Sequence, residues 1–140
     1  MEFYLNLAIN PKPKARHRTG IRNHRIIHYS DQRTVAFEKQ VRLLARTQFH
    51  HAPIKGPIRA VFLFKIEKPQ KGRKGSKMKE PICTPDLDNL LKSVCDALNK
   101  ICWNDDAQIV EICCKKIWAM EKETPSIQIW LDSLEAQNDE

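Results

Sequence analysis

The chain has 140 residues and a formal net charge of +7, from 24 lysines and arginines against 17 aspartates and glutamates. This length suits one core and a single domain over residues 1–140, and 41% apolar with 29% charged residues excludes wholesale disorder. No apolar run approaches the ~20 residues of a membrane-spanning helix, and MEFYLNLAIN lacks the pattern of a secretory signal, so a cytoplasmic protein with a polyanionic partner is expected.

Phe3 to Ile9 alternates as a strand that Pro11 and Pro13 end, and a loop rich in basic residues follows. Arg25–Tyr29 reads as a short strand. Ser30 or Asp31 then offers an N-cap for a helix to about Gln48, with Val35, Phe37, Val41, Leu44, Ala45 and Phe49 near helical spacing and Ala36 and Leu43 widening the stripe. Gly56-Pro57 marks a turn, Ile58–Ile66 a central strand, and the lysine-rich stretch at about 68–82 a flexible loop. From Leu87 an apolar stripe at helical spacing runs through Leu90, Leu91, Val94, Cys95 and Leu98 to Ile101 and Cys102, the clearest helix in the chain. Ile109–Trp118 and Ser126–Leu131 are expected as the last strands, before an acidic tail at about 133–140. The order predicts an α+β fold, a mixed β-sheet with two main helices packed on it.

Charge is segregated. Lys12, Lys14, Arg16, Arg18, Arg22 and Arg25 precede the first acid after the opening strand, Asp31. A second cluster holds Lys65, Lys68, Lys71, Arg73, Lys74, Lys77 and Lys79. Two phosphate-contacting loops would look like this, and so would two solvated ones. Five cysteines without a C-x-x-C pair read as reduced thiols packed as small hydrophobes. Trp103, Trp118, Trp130, Phe37 and Phe49 read as core before they read as base-stacking groups, and the histidines among the basic residues as phosphate contacts or solvated groups before general bases.

Asp86 and Asp88 stand two residues apart where a loop becomes a helix. An N-cap and a first-turn acid beside the positive end of the helix dipole would explain both, each worth ~1 kcal/mol or less. Lys92 shares a helix face with Asp88, and an i,i+4 salt bridge worth ~0.3 to 0.5 kcal/mol would explain that pairing too. Asp105 and Asp106 follow the same helix, where acids oppose the dipole and need a rationale of their own: turn hydrogen bonding by Asn104 and Asp105, or a bound cation. Acids within a basic chain suit magnesium, which takes one or two carboxylates and leaves the rest of its shell to water and phosphate. Such a site would hydrolyse phosphodiesters.

The string Asp86-Leu87-Asp88-Asn89-Leu90-x-Lys92, then Asp96-Ala97-Leu98, then Trp103-x-Asp105-Asp106-x-Gln108-Ile109-Val110 resembles the RusA family of Holliday junction resolvases, closely over residues 85 to 118. Pro11-Lys12-Pro13-Lys14-Ala15-Arg16-His17-Arg18 is similar to a basic stretch of that family, with His17 where proline is usual; Thr84-Pro85 stands where some relatives have arginines, for which Lys77 and Lys79 are substitutes. The resemblance implies a RusA-like domain cutting four-way DNA junctions by paired nicks in recombination and repair, with Asp86, Asp88 and Asp106 as catalytic metal ligands for magnesium or manganese. Lys92 would be the catalytic lysine, Asp105 an accessory acid and Asp96 structural. Lys14, Arg16, Arg18, Lys71, Arg73, Lys74, Lys77 and Lys79 would contact DNA. It further implies a homodimer, since a four-way junction has two-fold symmetry, and a phage or prophage origin. The competing expectations are a protein that binds branched DNA without cutting it, and a nuclease for forks or flaps.

Overall fold

In chain order the elements are β1 (Glu2–Leu7), β2 (Arg18–Arg22), β3 (Arg25–Tyr29), α1 (Gln32–Gln48), β4 (Ile58–Ile66), α2 (Leu87–Leu98), β5 (Ile109–Trp118) and β6 (Ser126–Ser133), with a 3-10 turn at Asp106–Gln108 ahead of β5. The structure is a computed structural model and describes residues 1–14, 18–29, 31–69 and 79–134, Arg18 by its backbone only. Most of the basic loop expected at about 68–82 and the acidic tail lie outside the described residues.

Alternation builds the sheet. Ile58, Ala60, Phe62, Phe64 and Ile66 all point to one face of β4 and are buried, which makes β4 the spine. Its neighbours match that face: Ile127, Ile129 and Leu131 on β6, then Leu5 and Leu7 on β1. The order is β1-β6-β4-β5, with β5 parallel to β4 and the other pairs antiparallel, so the sheet is mixed and the fold is α+β. Phe37, Val41 and Ala45 of α1 and Leu90, Val94, Ala97 and Leu98 of α2 join the same core.

β5 begins beyond the end of α2 and runs back beside it. Twelve helical residues rise about 18 Å, and the seven steps from Ile109 to Lys116 span about 23 Å, so Lys116 reaches the loop that enters α2. A register shift at Ile58/Arg59 leaves Val110 outside the pairing and 63% exposed.

Three expectations change. Part of the expected basic loop is β2, which pairs with β3 as a hairpin; Asn23 and His24 both take positive φ, 51° and 63°, in a two-residue turn. The stripe expected to continue α2 to Cys102 breaks at Leu98, because Lys100 turns to φ 72°. Cys102 and Trp103 still reach the core by folding back, with Ile101 and Cys102 donating to the Leu98 carbonyl. On α1, Val35 and Leu43 are 52% and 56% exposed while Thr34 is buried, so the stripe is narrower than its apolar composition. No described helix is long and apolar enough to cross a membrane.

Candidate active site

Three aspartates occupy N-cap positions, and their side chains differ in use. Asp31 accepts from the Arg33 backbone N–H at 2.8 Å ahead of α1. Asp105 accepts from the Ala107 N–H at 2.9 Å ahead of the 3-10 turn. Asp86 has the extended backbone of an N-cap, φ −69° and ψ 142°, yet makes no side-chain cap hydrogen bond. Its carboxylate is exposed, as is that of Asp88 in the first turn. Asp88 and Lys92 form no ion pair, although Glu38 and Arg42 on α1 show that spacing in use. The capping and salt-bridge explanations of this cluster are therefore not realised. Two carboxylates and an ammonium stand exposed and unengaged among the described residues, at the positive end of a helix.

Asp106 opens the 3-10 turn ahead of β5. Its charge acts on Cys95, whose thiol is pushed up to about 12, chiefly by burial and then by Asp106 and Asp96. One Asp106 oxygen accepts from the indole N–H of the fully buried Trp103 at 2.7 Å. Gln108 fastens the turn: its Oε1 accepts from Asn104 and Asp105 N–H, and its Nε2 donates to the Ile54 and Gly56 carbonyls at 2.7 and 3.0 Å. The spacing W-x-D-D-x-Q thus has a mechanical meaning: an indole orients one acid, a second caps a turn, and an amide ties that turn to the loop before β4. Asp105 is spent on the turn hydrogen bonding that the sequence offered as one alternative.

Asp86, Asp88 and Lys92 share the entry and first turns of α2, whereas Asp106 sits in the 3-10 turn after that helix, near Cys95. Among the described residues no group of three His, Cys, Asp or Glu side chains is arranged to hold a metal ion. Lys14 is engaged: its ammonium forms a short ion pair with Asp96, which docks the first basic segment onto the exposed stripe Asp88, Lys92, Asp96. Lys79 is exposed. Arg16, Lys71, Arg73, Lys74 and Lys77 lie outside the described residues, as does the Arg18 side chain. Trp103, Phe37 and Phe49 are core, whereas Trp130 is 40% exposed beside Tyr4. All five cysteines are free thiols.

A family model described as Endodeoxyribonuclease RusA matches residues 8–131. The chain belongs to the RusA endodeoxyribonuclease family. That match begins just after β1 and spans the strand-to-loop passage at the first proline pair, both acidic segments, both helices and all but the end of β6, so it takes in every element except β1. YqaN, an uncharacterized protein of Bacillus subtilis (strain 168), is 27% identical over 134 residues, covering 90% of this chain and 92% of that one.

Neither Gln108 nor Lys116 has a role that can be read from sequence alone. Lys116 is half-buried on β5, and its Nζ donates to the carbonyls of Cys83 and Pro85 at 2.8 and 2.9 Å. Nothing in the local pattern around Lys115-Lys116 marks one of the two as inward-reaching; the register opposite Phe64 does.

Proposed function

We propose that this protein is a metal-dependent, structure-selective endodeoxyribonuclease that resolves four-way DNA junctions by paired nicks, working as a cytoplasmic homodimer. The observation that carries the reading is Asp86: an N-cap aspartate that does not cap, exposed beside Asp88, which is itself one turn from an unpaired Lys92. Carboxylates left unengaged while neighbouring aspartates are used structurally suit a ligand from outside the chain.

The donor set fits magnesium or manganese in the open form these ions prefer, one or two carboxylates with water and phosphate completing the shell, rather than an all-protein cage. Asp86 and Asp88 would hold the ion. Asp106, the third carboxylate that the resemblance names, stands apart from this pair with one oxygen held by the Trp103 indole, so it would join them only if the 3-10 turn and the start of α2 draw together on DNA. When bound, the ion supplies Lewis acidity to the scissile phosphate and lowers the pKa of water. Lys92 neutralises charge that develops on the phosphate oxygens, a contribution of the order of 10²-fold or more in rate for a preorganised donor. The helix N-terminus favours the same anionic groups. Lys79 and the basic residues of both segments bind the DNA backbone, and a two-fold dimer would present one such site to each of two opposed strands.

The test is incubation of purified protein with a labelled immobile four-way junction, with and without magnesium, beside a linear duplex. Symmetric paired nicks that require both metal and junction are expected. Tight metal-independent binding without cleavage would replace this reading with that of a branched-DNA-binding protein, and equal cutting of flaps or forks would widen the substrate. Asp88→Asn should abolish cleavage and leave junction binding intact; equal loss of binding in the folded variant would count against the assignment.

A further inference from the structure

We propose that Lys116 is a positioning residue: from β5 it holds the loop just ahead of Asp86, and so sets where the carboxylates at the start of α2 stand relative to Asp106 at the start of the same strand. The proposal rests on the functional reading above for what those carboxylates do.

The geometry is specific. The Lys116 ammonium reaches two backbone carbonyls, Cys83 and Pro85, in the three residues before Asp86. It forms no ion pair with any described carboxylate, so its charge is matched by carbonyl dipoles alone. Half-burial with two of its three donors engaged makes it a poor phosphate contact and a good strap. The loop it holds has little else: Ile82 donates to the Glu80 carbonyl within it, and the Asp86 side chain gives no cap.

The strap is tied to a rigid bar. β5 pairs in parallel with β4, the buried spine, from Ile109 to Trp118. Just before its first residue lies the Asp105-Asp106 turn, fastened by Gln108 to the loop before β4. Acid-bearing segments that the chain separates by a whole helix are thereby referenced to one strand. Outer groups that fix metal-bearing side chains commonly contribute 10- to 100-fold in metal affinity.

The full-length chain and its Lys116→Met and Lys116→Arg variants would be compared by calorimetric titration with manganese without DNA, by amide hydrogen exchange, and by junction binding in EDTA. Lys116→Met is expected to weaken manganese binding about tenfold or more and to speed exchange over residues 82–88. Exchange in β4 and β6 and junction binding in EDTA should be unchanged. Lys116→Arg should recover part of the metal affinity, because a guanidinium can also donate to two carbonyls. Faster exchange over 82–88 with wild-type manganese affinity would make Lys116 a fold residue only and overturn the proposal, as would unchanged exchange. Should Lys116→Met fail to fold, Lys116→Gln, which keeps a donor, is read by the same outcomes. A wild-type chain that binds no manganese would sink the functional reading and this proposal with it, whereas wild-type binding that Lys116→Met leaves intact sinks this proposal alone.

Discussion

Asp31, Asp86 and Asp105 share a position relative to a helical turn and differ in what their oxygens accept. That difference predicts different stability costs, residue by residue. Asp31→Ala, which removes a used and 96%-covered cap, should lower unfolding free energy by ~1 kcal/mol in a denaturant titration. Asp86→Ala loses only a dipole interaction and should cost a few tenths of a kcal/mol while removing cleavage. A full capping penalty at Asp86 would argue that its carboxylate is structural after all. At the same scale, Cys95 and Cys102 are both pushed from 9.0 up to about 12, by burial foremost. A folded pKa above the unfolded one means the native state keeps protons that the unfolded chain releases. Stability from these thiols is therefore complete below pH 9 and is lost as pH rises from 9 toward about 12. Comparing the alkaline unfolding of the native chain with that of a Cys95→Ala/Cys102→Ala variant should show a shallower fall in the variant; identical slopes would remove the thiols from the account.

Among the elements, β4 follows closely from alternation and α1 from helical spacing, because one face of each meets the core, whereas β5 is marked only by its run of apolar residues, none of which is fully buried. α2 is legible to Leu98 and then misread, since Ile101, Cys102 and Trp103 continue the apolar pattern after the backbone has left the helix. Hydrophobic periodicity reports burial, and a tight turn can bury residues as well as another helical turn can. Of the β2–β3 hairpin only β3 is legible in the sequence, and its partner is not: every described side chain of β3 is exposed, so no face is marked, and Asn23-His24 is a weaker turn signal than Asn-Gly. The hairpin follows the basic segment that Lys14 docks on α2, so the first basic stretch is anchored at its root by Asp96.

For the whole molecule, charge sets how DNA is approached while the mixed sheet sets what the acids can do. Reversing Lys71, Arg73 and Lys74 together to glutamate should weaken binding to junction and duplex alike and flatten the salt dependence of both. A salt slope equal to that of the native chain would show that these residues do not touch phosphate. Cleavage chemistry should respond differently, through Asp88, Lys92 and the Lys116 strap, with little change in that slope.

The sequence by itself determined the α+β class, the position of the main strands and helices, and the family, because these rest on periodicity and on a spaced string of residue types. It named the acids without deciding which of them are spent: Asp86 and Asp105 look alike in a string, and only the folded backbone shows that one caps a turn and the other does not. Gln108 and Lys116 act on segments that the chain holds apart, from the 54–56 loop to the approach to α2. Such hydrogen bonds depend on which residues the sheet brings opposite one another, and register across β4 and β5 is a property of tertiary packing that no local pattern of sequence contains.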